Sequence, residues 1–218
     1  MSALDTLNGS AFSAFGQQFL WTDVVGNGLG LAGLAFGWRR SVWAWPVQLL
    51  SGVVLVAANW SAHLTGGVGK QLLVIGVAVW GWAQWRRGAR ASGGIAIRFA
   101  TWRERGLLAG GTVVGLLGVV GLFTLYPSLS WNPWPDAYIF VGTVAAMVAM
   151  ARGWVEFWFA WLAVDVVGVP LAWNSGLKFS AFVYVLYFVL VIAGMHAWWQ
   201  QTRVPRPKAP ALEGAAAA

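Results

Sequence analysis

Apolar runs of bilayer-crossing length recur along the chain, separated by short polar or basic breaks. Within the runs the few polar residues do not alternate as in a strand, so each run predicts a helix. Seven spans follow: Asp23 to Trp38, Val42 to Ala62, Val68 to Trp85, Leu107 to Leu125, Ala137 to Ala151, Val155 to Trp173 and Phe179 to Trp199. The first carries Gly26, Gly30, Gly33 and Gly37, a small-residue stripe suited to close helix packing. The second has Pro46 near its start, and the fourth is glycine-rich and uncharged. Several spans are short, which predicts a thin hydrocarbon profile or extension into an aromatic belt.

Outside the spans the pattern weakens. Residues 1–20 lack the basic start and continuous apolar core of a cleavable signal. Phe12, Phe15 and Phe19 share a helical stripe, so this N-terminal segment is expected along the membrane surface, the alternative being loose order. The tail, residues 200–218, is rich in proline and alanine and is expected to be disordered.

Composition agrees. The chain is 59% hydrophobic and 10% charged, against about 25% charged in a soluble domain. Many of its 17 tryptophans sit at span ends, as an interfacial belt requires. With no cysteine, disulfides, thiolate catalysis and Cys-ligated metals are excluded. The net charge of +7 is explained by topology. Only Lys70 and Lys178 lie on the side of the N-terminus. Arg39, Arg40, Arg86, Arg87, Arg90, Arg98, Arg103, Arg105, Arg152, Arg203, Arg206 and Lys208 lie on the other. The positive-inside rule then puts the N-terminus outside and the C-terminus in the cytoplasm. A nucleic-acid partner is not needed.

Sliding the chain by 113 residues aligns Trp21 with Trp134, Asp23 with Asp136, Arg39 with Arg152 and Trp45 with Trp158. It also aligns Trp60 with Trp173, Gly81 with Gly194 and Trp85 with Trp198. The matches fall at equivalent span ends and midpoints. The expected architecture is an all-α membrane protein of two parallel three-helix repeats, residues 21–85 and 134–199, in a 3+1+3 plan. A basic loop (86–106) and a linker helix (107–125) join them. Parallel repeats are a known plan of carriers, with the ligand between the halves.

The stretch from Glu156 to Asp165 is where chemistry concentrates. At about 100° per residue, Trp158, Trp161 and Asp165 share one stripe. An acid inside a span costs about 2.5–3.5 kcal/mol on insertion scales, so it is expected to face a polar interior. Beside two indoles it reads as a place for a flat, polar ligand. Enzyme chemistry is not expected: there is no Ser/His/Asp arrangement, no HExxH and no phosphate-binding GxxxxGK[ST]. His63 and His196 are too isolated for a metal site.

The run Trp158-x-x-Trp161 followed by Asp165, then Tyr184, Tyr187, Gly194 and Trp198, with Gly81-Trp82-Ala-Gln-Trp85 in the first half, resembles the PnuC family of bacterial vitamin transporters. Trp131 to Phe140 and Arg152 to Trp161 are similar to its actinobacterial riboflavin branch. The nicotinamide riboside branch commonly has an asparagine after its tryptophan pair. Here the next polar position is Asp165, which favours another ring. The resemblance implies a seven-helix, SWEET-like fold and a homotrimer in the bacterial inner membrane. It also implies facilitated diffusion of riboflavin, with a separate cytoplasmic kinase trapping the vitamin. Thiamine and nicotinamide riboside are the alternative cargoes. No cofactor is expected. A non-transporting scaffold or receptor subunit is the rival of another class.

Under that reading Trp158 and Trp161 stack on the isoalloxazine, and Asp165 accepts hydrogen bonds from ribityl hydroxyls or ring N–H groups. The competing reading makes the tryptophans packing or anchor residues and Asp165 a bundle tie. Gln48, three residues after Trp45, and Gln71 offer amides suited to the uracil-like edge of a flavin. Tyr184 and Tyr187 share a face on the last span, and Asn27 and Asn59 complete the expected substrate site. For all of these the competing reading is a buried polar group satisfied within the bundle.

Overall fold

A computed structural model describes residues 9–14, 17–61, 65–92, 95–130, 132–174 and 178–203. Seven α-helices occupy the described chain: α1 (Trp21–Trp38), α2 (Ala44–Ser61), α3 (Thr65–Ser92), α4 (Trp102–Leu125), α5 (Pro133–Ala151), α6 (Glu156–Asn174) and α7 (Lys178–Arg203). A short 3₁₀ turn, Pro127–Leu129, links α4 to α5. By length and apolarity, α4, α5 and Phe182–Thr202 of α7 suffice to cross a membrane, while Val24–Trp38 and Ala44–Ala57 are shorter apolar helices.

The structure departs from the sequence pattern in two places. Ahead of α1 the chain forms an antiparallel hairpin, β1 (Ser10–Ala14) and β2 (Gln17–Leu20), with Phe12 opposite Phe19. The phenylalanine spacing fits a helix, but strand pairing satisfies this short segment's backbone instead. Phe15 lies outside the described residues, as does the tail from residue 204. The 86–106 stretch is also less of a loop than expected. α3 runs on to Ser92 and α4 begins at Trp102, so Arg86, Arg87 and Arg90 ride on a helix.

Of the stretch between α3 and α4, residues 95–101 are docked. Arg98 bridges to Trp154: its N–H donates to the Gly153 carbonyl (3.1 Å), and Val155 N–H donates to the Arg98 carbonyl (3.1 Å). Glu156, in the first turn of α6, accepts from Ala100 N–H (3.0 Å) and from Arg105 Nε (2.7 Å). Thr101 and Glu104 form a capping box that starts α4. Glu104 also takes two hydrogen bonds from Arg98, at 2.7 and 2.6 Å, and these raise the Arg98 pKa above its ordinary value.

Helices neighbouring in sequence pack together: α1 on α2, α2 on α3, α5 on α6, α6 on α7. The two groups meet where α3 packs on α5 and α1 on α7, while α4 lies against α5. Equivalent contacts recur 113 residues apart. α1 ends with Arg40 N–H on the Gly37 carbonyl and Ser41 N–H on the Phe36 carbonyl; α5 ends with Gly153 N–H on Met150 and Trp154 N–H on Ala149. Both ends are Schellman caps, and both need a left-handed residue, Arg40 at φ 57° and Gly153 at φ 68°. The Trp45 ring lies across Gly81 and edge-on to Trp85; the Trp158 ring lies across Gly194 and edge-on to Trp198. Trp45, Trp85, Trp158 and Trp198 are all buried in the main core.

Candidate functional site

Between the two helical groups lies a cavity of about 340 Å³, within the roughly 300–1,000 Å³ range of small-molecule sites. Of the expected site residues, Asn27 (α1), Gln48 (α2), Gln71 (α3), Trp161 (α6), Tyr184 and Tyr187 (α7) all line it. They come from five helices and both groups. Ser51 and Thr143 line it too. Towards the ends of α1 and α5 it narrows to a space of about 40 Å³, where Trp45, Met150 and Phe157 join Gln48, Trp161 and Tyr187.

Small residues let these side chains reach the cavity. A Cβ on Gly30 would stand 2.2 Å from the Tyr187 hydroxyl, so glycine there allows that hydroxyl to approach α1. The hydroxyl donates to the Asn27 carbonyl at 3.4 Å. Ser51 Oγ donates to the Gly26 carbonyl at 2.8 Å, which ties α2 to α1 at the cavity wall. A Cβ on Gly168 would lie 2.8 Å from the Tyr184 ring, so glycine lets that ring approach α6 closely. Trp161 and Tyr187 are parallel within 5°, their centroids 6.1 Å apart. Two rings set parallel at the waist of a cavity offer a planar ligand a preformed stacking surface.

Three expected site residues are placed elsewhere. Trp158 is fully buried, with its ring on Gly194 and its neighbours Phe157 and Trp198; it does not line the cavity. Trp45 packs on Gly81 and reaches only the narrow space. Asp165 is also fully buried and absent from the cavity wall, and neither carboxylate oxygen has a hydrogen-bond partner among the described residues. Helical geometry accounts for the split. Trp158 and Trp161 differ by about 60° around the helix, enough to send one ring to α7 and the other to the cavity. The Asn59 side chain lies outside the described residues. Ser51 and Thr143 were not anticipated. A small hydroxyl within an apolar run carries little signal by itself.

An all-helical apolar bundle that encloses an aromatic, amide-lined cavity between two groups of helices has the form of a membrane carrier. Residues 20–200 match the nicotinamide mononucleotide transporter family, and the chain belongs to that family. It is a transporter family, not an enzyme family. The chain is 56% identical over 216 residues to the riboflavin/roseoflavin transporter RibM of Streptomyces davaonensis, covering 98% of this chain and 100% of that protein. It is 25% identical over 92 residues to the nicotinamide riboside transporter PnuC of Escherichia coli, 41% of this chain and 38% of that one. Its fold resembles the crystal structure of the vitamin B3 transporter PnuC, with a TM-score of 0.67 at 21% identity over 83% of this chain and 81% of that one.

Proposed function

We propose that this protein carries riboflavin across the bacterial inner membrane by facilitated diffusion. The observation that carries the reading is the 56% identity, end to end, with a protein named as a riboflavin/roseoflavin transporter. The cavity supports it chemically. Trp161 and Tyr187 supply the stacking faces for a tricyclic ring, and Gln48 and Gln71 supply amides that donate and accept at its uracil-like edge. Asn27, Tyr184 and the hydroxyl oxygens of Ser51 and Thr143, whose protons go to the Gly26 and Ile139 carbonyls, line the wall beside the ribityl chain.

In this reading α1–α3 and α5–α7 are parallel repeats joined by α4, and they rock against one another around the bound vitamin. The recurrence of caps and Trp–Gly contacts at 113-residue spacing supports the duplication. The arginine distribution supports an outside N-terminus and a cytoplasmic C-terminus. The carrier works as a homotrimer without a cofactor, and a separate kinase traps the vitamin. Trp158 and Asp165 belong to the scaffold behind the cavity wall, not to the contact surface.

Reconstitution tests the reading. Proteoliposomes holding only this protein should accumulate labelled riboflavin to equilibrium without ATP or an ion gradient, and unlabelled riboflavin should compete better than thiamine or nicotinamide riboside. Uptake that responds to nicotinamide riboside and ignores riboflavin would reassign the cargo. No uptake at all would favour a scaffold or receptor subunit.

A further inference from the structure

The cavity narrows where α1 and α5 end, and three contacts converge there. Met150 Cε lies 2.7 Å from where a Cβ on Gly37 would stand, so the two helix ends touch. The Trp85 indole N–H donates to the Met150 carbonyl at 3.0 Å. The Trp198 indole N–H donates to the Trp38 carbonyl at 3.1 Å. Each donor sits on the third helix of one group, and each acceptor is in the last turn of the first helix of the other. The donors are 113 residues apart, and the acceptors fall one residue short of that register.

Indole burial alone does not enforce such bonds in this protein. Trp45, Trp154 and Trp158 bury their N–H groups without a hydrogen-bond partner among the described residues. The Trp85 and Trp198 bonds both cross between the groups, at the end a carrier must open to release its load. We propose that Trp85 and Trp198 are positioning residues for transport, a paired latch that holds this end shut and parts when the α3–α5 and α1–α7 contacts separate. Because the Trp85 and Trp198 bonds sit in near-equivalent places, one alone leaves the end half-secured. The inference rests on the carrier cycle and not on the identity of the cargo.

The chain has no cysteine, so a single introduced thiol reports access cleanly. Ala44 is buried on the wall of the narrow space, and Ala44→Cys places the probe there. Trp85 and Trp198 are then replaced, singly and together, by 3-benzothienylalanine, which keeps the bicyclic ring and lacks the N–H. Labelling by an impermeant maleimide is followed in membrane vesicles of both orientations. From the side where α1 and α5 end, the double replacement should label about tenfold faster than the parent, and each single replacement should fall between them. Should the double replacement fold poorly, the two singles carry the comparison. An unchanged labelling rate in variants that still take up riboflavin would overturn the latch. Faster labelling in a protein that does not bind riboflavin would leave the latch standing and overturn the cargo assignment.

Discussion

Gly194 and Gly81 should be among the positions least tolerant of a single added methyl group. A Cβ on Gly194 would lie 2.2, 2.5 and 2.5 Å from three atoms of the Trp158 ring; on Gly81 it would lie 2.3, 2.4 and 2.5 Å from the Trp45 ring. Carbon atoms prefer about 3.5–4.0 Å, so each ring must retreat by roughly 1 Å or more. Trp158 has no room to do so, and Trp45 has only the narrow space of about 40 Å³ beside it. Trp158 is fully buried, with Phe157 at a centroid distance of 4.4 Å and Trp198 at 5.5 Å. Overpacking a dense core costs about 1–3 kcal/mol, and a rigid indole against a backbone-fixed Cβ belongs at the upper end. Alanine returns up to about 1 kcal/mol of helix propensity. The net expectation is a loss of about 2 kcal/mol for Gly194→Ala and for Gly81→Ala, or roughly 4–8 °C in Tm for a chain of this size. Intrinsic fluorescence melting in detergent measures it. Gly110→Ala and Gly118→Ala are the controls, because a Cβ there meets nothing within 4 Å, and both should be neutral or stabilising. A Gly194→Ala variant that melts at or above the parent would refute the reasoning.

Other substitutions probe the caps and the buried acid. Arg40 holds a left-handed conformation that costs an L-residue about 1–2 kcal/mol, so Arg40→Gly should raise the Tm by a few degrees. Its counterpart Gly153→Ala should lower the Tm, because a Cβ there would meet the Ala96 carbonyl oxygen at 2.3 Å as well as the positive φ. Asp165→Asn removes a fully buried carboxyl that has no hydrogen-bond partner among the described residues. It should leave the Tm equal or higher and change the riboflavin Kd less than about twofold; a much weaker Kd would return Asp165 to the contact surface.

The helices were legible because a bilayer-length apolar run states its own limits, and each of the seven spans matches a helix, α1 to α7. The N-terminal hairpin was not, because three phenylalanines at helical spacing outweighed a pairing that only the folded segment reveals. Within the candidate site, the 113-residue match already held the sorting rule. Trp158 and Gly194 keep the same residue types as Trp45 and Gly81, and they pack inside one group. Trp161 and Tyr184 stand against Gln48 and Gln71, and all four line the cavity. A cavity that holds one asymmetric ligand needs different groups from its two sides, whereas internal packing does not. The aromatic pair Trp158 and Trp161 hid this, since both residues suit either role and only their directions differ.

Transport of a flat vitamin through this cavity requires that its ring bind at Trp161 and Tyr187. Quenching of riboflavin fluorescence by the purified protein tests it most directly, with Trp161→Ala as the perturbation. Quenching by the parent should saturate, and the midpoint should shift up by about tenfold or more in the variant, as loss of a stacked aromatic face implies. An unchanged midpoint in a folded Trp161→Ala protein would contradict it.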